Sequence, residues 1–335
     1  MTNNHTQISP SRLMGWLGSG LLLLLAVVVA SVWQPDRPVE ALTAKWAPAP
    51  SQWIRVELPA LEGAAATGIR LHMRDEGPRD DAEPIVLVHG TGASLHTWDG
   101  WVAQLKGTRR VVRLDLPGYG LTGPFDDHIY SMARYSAVLA ALADALKLPA
   151  AVYAGNSLGG YVVWEHAVRQ PMRVSRLLLV DSAGYPLPLR DVPIGFRIAQ
   201  TPGLNKLMQH VLPRGVIESS VKNVYGDPSR VTPELVDRYF ELTTRAGNRA
   251  AVVASFAQRK VDTQNGEAAK RVAQIKQPTF ILWGGQDRLI PPEHAQQFRR
   301  DIASAQVAVL PSLGHVPMEE DPVASLAAVR AWLGR

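Results

Sequence analysis

Six residues in the middle of the chain carry a spacing that nucleophilic chemistry needs: Gly155-Asn156-Ser157-Leu158-Gly159-Gly160. They follow a short apolar β-type run, Ala151–Tyr153, and precede a helical pattern that begins at Leu158, so Ser157 stands on a strand-to-helix turn. A turn sharp enough to lift a hydroxyl above a sheet crowds the residues two before and two after it. Gly155 and Gly159 remove the side chains that would clash there. Leu158 then offers a backbone N–H at a helix N-terminus, where developing negative charge is favoured.

A serine hydroxyl needs a positioned base at neutral pH. The chain has nine histidines. His5 lies in the N-terminal tail, His210 in a helical insertion, His166 and His294 within predicted helices and His72 within a predicted strand. His96 and His128 occupy loops and suit solvation or packing, and His89 ends a strand beside Gly90, where it can support loop geometry. His315 differs. It sits in Pro311-Ser312-Leu313-Gly314-His315-Val316-Pro317, a loop directly after the last predicted strand, and is the candidate general base.

An imidazole in that role needs a carboxylate to fix its tautomer. Asp287, in Trp283-Gly284-Gly285-Gln286-Asp287, is preferred because it gives the chain order Ser, Asp, His; Asp181, also at a strand end, competes. Asp115 precedes Leu116-Pro117-Gly118-Tyr119-Gly120 and reads as a structural turn aspartate. The glycine-rich stretch His89-Gly90-Thr91-Gly92 can aim a second oxyanion donor alongside Leu158, with Thr91 preferred and Gly92 as fallback. Neither GxxxxGK[ST] nor a GxGxxG that opens a helix occurs, nor HExxH, so no cofactor and no metal are expected.

Residues so far apart in sequence must be gathered by a scaffold. Strands are predicted at Trp53–Leu58, Ile69–Met73, Ile85–Val88, Val111–Leu114, Ala151–Tyr153, Leu177–Val180, Phe280–Trp283 and Val307–Leu310. The last six are short and mostly apolar, as strands buried on both faces should be. Helical patterns alternate with them at about Met132–Leu146, Leu158–Gln170, Glu293–Arg299 and Val323–Leu333. The expected fold class is therefore α/β, a mostly parallel sheet of eight strands flanked by helices. From Gly184 to about Lys270 no strand pattern occurs, and helix-like stretches between prolines point to an inserted helical cap at 184–270. The core is then 51–183 with 271–335.

A chain of 335 residues, 46% apolar, can bury a full core; the absence of cysteine excludes disulfides and thiolate chemistry. The net charge of +5 comes from scattered lysines and arginines without a basic stripe, so nucleic-acid binding is not expected. The cap holds 12 basic and 8 acidic residues, which raises contact with anionic lipid through Ile194, Phe196, Leu204, Leu207 and Met208 beside the plainer reading of a solvated lid. After a tail at 1–12, Leu13 to Trp33 contains no charged residue and is long enough as a helix to cross a hydrocarbon core of about 30 Å. Trp16 and Trp33 lie near its ends, where indoles favour the interface, and the charge balance leans toward an exported body. The alternative is a cleaved secretory signal, with Arg12 before the run and Val28-Val29-Ala30 before a cut. Residues 34–50 contain repeated prolines and read as a spacer.

From Trp53 to Arg335 the chain resembles the α/β-hydrolase superfamily, on HisGlyThrGly at 89–92, AspLeuProGlyTyrGly at 115–120, GlyAsnSerLeuGlyGly at 155–160, GlyGlyGlnAsp at 284–287 and GlyHis at 314–315. It is most similar to the group of esterases, C–C-bond hydrolases and cofactor-free haloperoxidases, in which a helical cap lies between the sixth and seventh core strands. The resemblance implies two-step acyl transfer through Ser157, Asp287 and His315, with small or lipid-like esters as the default substrates. It does not transfer a substrate.

Overall fold

The computed structural model describes residues 32–61, 63–186 and 210–334, together with Ser19, Leu23, Val27, Arg197, Thr201, Gly203, Leu204 and Lys206. Its frame is a sheet of eight strands: β1 (Gln52–Leu58), β2 (Thr67–Glu76), β3 (Ile85–Val88), β4 (Val111–Leu114), β5 (Ala151–Asn156), β6 (Val174–Val180), β7 (Thr279–Gly284) and β8 (Ala305–Leu310). Their order across the sheet is β1-β2-β4-β3-β5-β6-β7-β8. β2 runs antiparallel to both its neighbours, and β3 to β8 are parallel.

The apolar runs of the central strands divide by strict alternation between two cores. Val86, Val88, Tyr153, Leu177, Leu179, Ile281 and Trp283 face one, while Ile85, Leu87, Val152, Ala154, Leu178, Val180, Phe280 and Leu282 face the other. The first core is completed from α3 (Met132–Ala145), α4 (Leu158–Arg169) and α9 (Glu293–Asp301), the second from α2 (Asp99–Leu105) and α11 (Pro322–Leu333). β8 departs from the expected burial: it closes the sheet as an edge, and Val309 is 40% exposed. A parallel sheet of this order sends the loops after β3, β5, β6, β7 and β8 to one end, and every candidate site residue lies in those loops or, for Leu158, at the start of the helix that follows.

Between β6 and β7 the described residues are helical: α5 (Arg214–Val224), α6 (Pro233–Thr243), α7 (Asn248–Gln264) and α8 (Glu267–Val272). Of the residues considered for a lipid-facing cap entrance, Leu204 is 49% exposed, and Ile194, Phe196, Leu207 and Met208 lie outside the described residues.

The spacer expected at 34–50 is not an extended tether. Val39–Trp46 forms α1, and its prolines bracket it, with Pro38 at the N-cap and Pro48 and Pro50 beyond its end. Leu42 is buried against Leu121 and Leu242. Trp33 bridges Val211 and Arg37 bridges Arg245. Asp36 receives Gly247 N at 3.0 Å and pairs with Arg249 at 2.6 Å, while Glu241 accepts Trp46 Nε1 at 2.7 Å. His96 Nε2 meets the Trp46 carbonyl at 2.8 Å. Residues 33–46 are thus a strap joined to the inserted helices and the core. Most of the apolar run 13–33 lies outside the described residues, and among the described residues no helix is long and apolar enough to cross a membrane.

Candidate active site

Ser157 has φ 55° and ψ −116°, a left-handed conformation that a non-glycine residue holds only where its surroundings enforce it. Its N–H donates to Val180 O at 3.0 Å, and its own carbonyl accepts Ala183 N at 3.0 Å and Tyr161 N at 3.1 Å, so β6 and α4 grip the turn. The glycine requirement is literal. A Cβ on Gly155 would lie 2.2 Å from Gly159 O, and one on Gly159 would lie 2.2 Å from Val88 O. Ser157 itself is 8% exposed.

Asp287 and His315 meet because the loops after β7 and β8 run almost in contact: a Cβ on Gly284 would lie 1.9 Å from Gly314 O. Asp287 Oδ2 is 2.7 Å from His315 Nδ1, and its Oδ1 accepts Leu289 N at 2.8 Å and Ile290 N at 3.0 Å. Three acceptor positions of this carboxylate are filled, and the bond to the imidazole fixes the Nδ1–H tautomer and leaves Nε2 as the basic nitrogen. The histidine loop is clamped in turn. Asn156 Nδ2 donates to His315 O at 2.9 Å, His315 N donates to Val224 O at 2.7 Å, and Glu320 accepts Gly314 N at 2.8 Å, Gly226 N at 2.9 Å and Asp227 N at 2.8 Å. Asn156 and Glu320 are positioning residues that sequence reasoning passed over. For Asn156 the signal was adjacency to Ser157; for Glu320, whose partners include the inserted segment, there was none. Asp181, the competing acid, lies beside the pair without contacting His315 Nδ1 through a hydrogen bond: its Oδ1 accepts Gly284 N at 2.8 Å.

On the opposite side of Ser157 the loop after β3 is held by His89. Leu116 N donates to His89 Nε2 at 3.0 Å, so Nδ1 carries the hydrogen and donates to Gly90 O at 2.7 Å. Burial holds this imidazole below its usual pKa, against the pull of Asp115 and the Gly90 carbonyl, and so keeps it neutral for both bonds. A Cβ on Gly90 would come within 3.0 Å of Ser157 Cβ, which places the Gly90-Thr91-Gly92 backbone beside the hydroxyl. The N–H of Leu158, the first residue of α4, has no acceptor within its own helix. Ser157 and His315 line one cavity with Gly90, Thr91 and Gly92, and its other walls are Leu212, Ile217, Val221, Val224, Val252, Leu289 and Val316, with Tyr239 and Arg249.

A second serine–histidine–aspartate relay stands away from this cavity. Asp115 Oδ2 is 2.7 Å from His72 Nδ1, and His72 Nε2 is 3.0 Å from Ser51 Oγ, which also accepts Arg74 Nε at 2.9 Å. Asp115 further accepts Leu95 N at 2.7 Å and Leu121 N at 2.8 Å. Burial pushes its carboxyl up, but His72, His89 and His96 outweigh this and hold it well below the ordinary range. The relay ties β1, β2 and β4 together, and Ser51 lines no part of the cavity around Ser157.

A family model described as the alpha/beta hydrolase family matches residues 85–329, most of the chain and all of the loops that line the cavity. The chain belongs to the α/β-hydrolase family. Among its relatives, a 2-hydroxy-6-oxo-2,4-heptadienoate hydrolase of Pseudomonas putida is 32% identical over 260 residues, covering 75% of this chain and 87% of that protein. Lipase 1 of Psychrobacter immobilis is 28% identical, covering 71% and 73% respectively. Among solved structures, a thermophilic esterase from Thermogutta terrifontis superposes with a TM-score of 0.68 at 26% identity, covering 84% of this chain and 98% of that one. This α/β hydrolase is therefore similar both to enzymes named for esters or lipids and to one named for a dienoate.

Proposed function

We propose that this α/β hydrolase is a serine hydrolase of carboxylic esters that works through an acyl-enzyme. The observation that carries the reading is the 2.7 Å contact between His315 and Asp287 at the wall of the cavity that also holds Ser157. His315 Nε2 takes the Ser157 proton as the hydroxyl attacks the ester carbonyl, and Asp287 stabilises the imidazolium. The oxyanion is received by the N–H groups of Thr91 and Leu158. His315 then protonates the leaving alkoxide, and a water activated by the same nitrogen hydrolyses the acyl-enzyme. The aliphatic walls supplied by α5, α7 and the loops after β7 and β8 suit an apolar acyl or alkyl group.

The test is a fluorophosphonate probe, with the labelled peptide identified. Labelling at Ser157 that Ser157→Ala abolishes and Ser51→Ala leaves intact supports the proposal. Absence of labelling on folded protein, or labelling at Ser51, sinks it.

A second reading, hydrolysis of a C–C bond in a dienoate ketone by the same residues, is favoured by the name of the 32% identical relative. Comparing kcat/KM for p-nitrophenyl esters and for a chromophoric dienoate separates the two. We also propose that the apolar run Leu13–Trp33 holds the enzyme at a membrane with its body exported, a reading that rests on sequence. Release of the full chain by alkaline carbonate would overturn it.

A further inference from the structure

The proposed reaction uses one carboxylate, yet the site contains two. Carboxylate oxygens of Asp181 and Asp287 and a ring nitrogen of His315 lie within 4.8 Å of one another, and all three residues are buried. Asp181 directly follows β6, and the backbone holds it there independently of Asp287. It sits at φ 45°, and its N–H donates to Leu282 O at 3.0 Å. Its two oxygens are treated differently. Oδ1 accepts Gly284 N at 2.8 Å, whereas Oδ2, equally buried, has no hydrogen-bond partner among the described residues.

Two adjacent carboxylates shielded from water do not both stay charged, because neither solvent nor a cation screens their repulsion. The proton goes to the member that is worse solvated by the protein. Asp287 receives two backbone N–H groups and the imidazole, and Asp181 receives one N–H. We propose that Asp181 is a neutral carboxylic acid whose Oδ2–H donates to the Asp287 carboxylate, making it a positioning residue that tempers the charge felt by His315. The bare Oδ2 then has its partner. Burial first, and Asp287 second, raise the Asp181 carboxyl well above its ordinary value, with the Gly284 N–H opposing.

Among the described residues, the other charged or titratable groups that act on the pair do not supply the missing cation. Glu320, from α10 (Pro317–Glu320), adds negative charge near Asp181, and His294, on α9, is held below its usual pKa by burial. This inference rests on the proposed role of His315, so its test has one arm independent of catalysis.

In the infrared spectrum of the full chain at neutral pH, a protonated-carboxyl C=O band is expected in the wild type and absent in Asp181→Asn. If no such band is lost, Asp181 is ionised and the proposal fails, whatever Ser157 does. The second arm is the acid limb of kcat/KM against pH. Asp181→Ala removes the donor, concentrates charge on Asp287 and favours the imidazolium, moving the limb up by about 0.5–1 unit; Asp181→Asn, whose amide can donate and which tolerates φ 45°, brings it back. An ionised Asp181 predicts the opposite sign, both variants shifting the limb down because a negative charge beside His315 has been removed.

Discussion

In the proposed reaction Ser157, His315 and Asp287 contribute to one proton path, so their removal is expected to be non-additive. Ser157→Ala should lower kcat by about 10⁴-fold or more, and Ser157→Ala/His315→Ala should be little worse, measured on a p-nitrophenyl ester. Asp287→Asn should reduce kcat by on the order of 10²–10⁴-fold while leaving KM within a small factor, since the tautomer of His315 is lost and the apolar walls are not. A different residue-scale effect belongs to His166, which is buried on α4 beside Ser136 at 2.9 Å. Burial, then Arg173, hold its pKa down to about 3. The unfolded chain therefore binds a proton below its ordinary value of about 6.5 that the native state refuses, so this stability is present above that pH and is lost as pH falls toward 3. His166→Asn should shrink the drop in unfolding free energy between pH 7.5 and 5 by about 2 kcal/mol, read from urea titrations at both pH values.

The elements that carry the site are held by backbone contacts which leave no room for a side chain. Gly159→Ala would drive a Cβ to 2.2 Å from Val88 O, between α4 and β3. A loss of about 2–4 kcal/mol and a slowed fluorophosphonate reaction are expected. Arg249 is 2% exposed and its ion-pair partner is Asp36, so Asp36→Ala leaves a buried guanidinium without that partner and frees Gly247 N. Because Asp36 is half-exposed, a destabilisation of about 1–2 kcal/mol is expected, and proteolysis should cut first near residue 33. That Val39–Trp46 would be a helix was not legible: it is short, prolines surround it, and its apolar face became meaningful only against Leu121 and Leu242.

At the scale of the molecule, the strap changes where the chain can be shortened. Removing residues 1–31 should leave hydrolysis of a p-nitrophenyl ester and melting temperature close to those of the full chain, because the strap contacts begin near Trp33. Removing residues 1–50 should lower Tm by several degrees or more, since it strips the partners of Arg249, Glu241 and Arg245 together. The inserted helices also form the upper wall of the cavity. Val221→Trp, which projects bulk from α5 into that wall, should reduce kcat/KM for long acyl esters more than for acetate, read across a chain-length series.

The sequence by itself determined the sheet and the positions at its loop ends. All eight strands were legible because short apolar or alternating runs are a local property, and the elbow was legible because its two glycines answer a steric need within five residues. Tertiary structure alone decided what depends on contacts between distant segments. It set Asp287 rather than Asp181 against His315 Nδ1, because the loops after β7 and β8 run side by side and Asp181, just past β6, points its carboxyl at Gly284. It also made a relay of Ser51, His72 and Asp115 and turned a proline-rich stretch into a strap. Hydrogen bonds between residues tens of positions apart leave no periodic trace in a single sequence, so they become visible only when the chain has closed on itself.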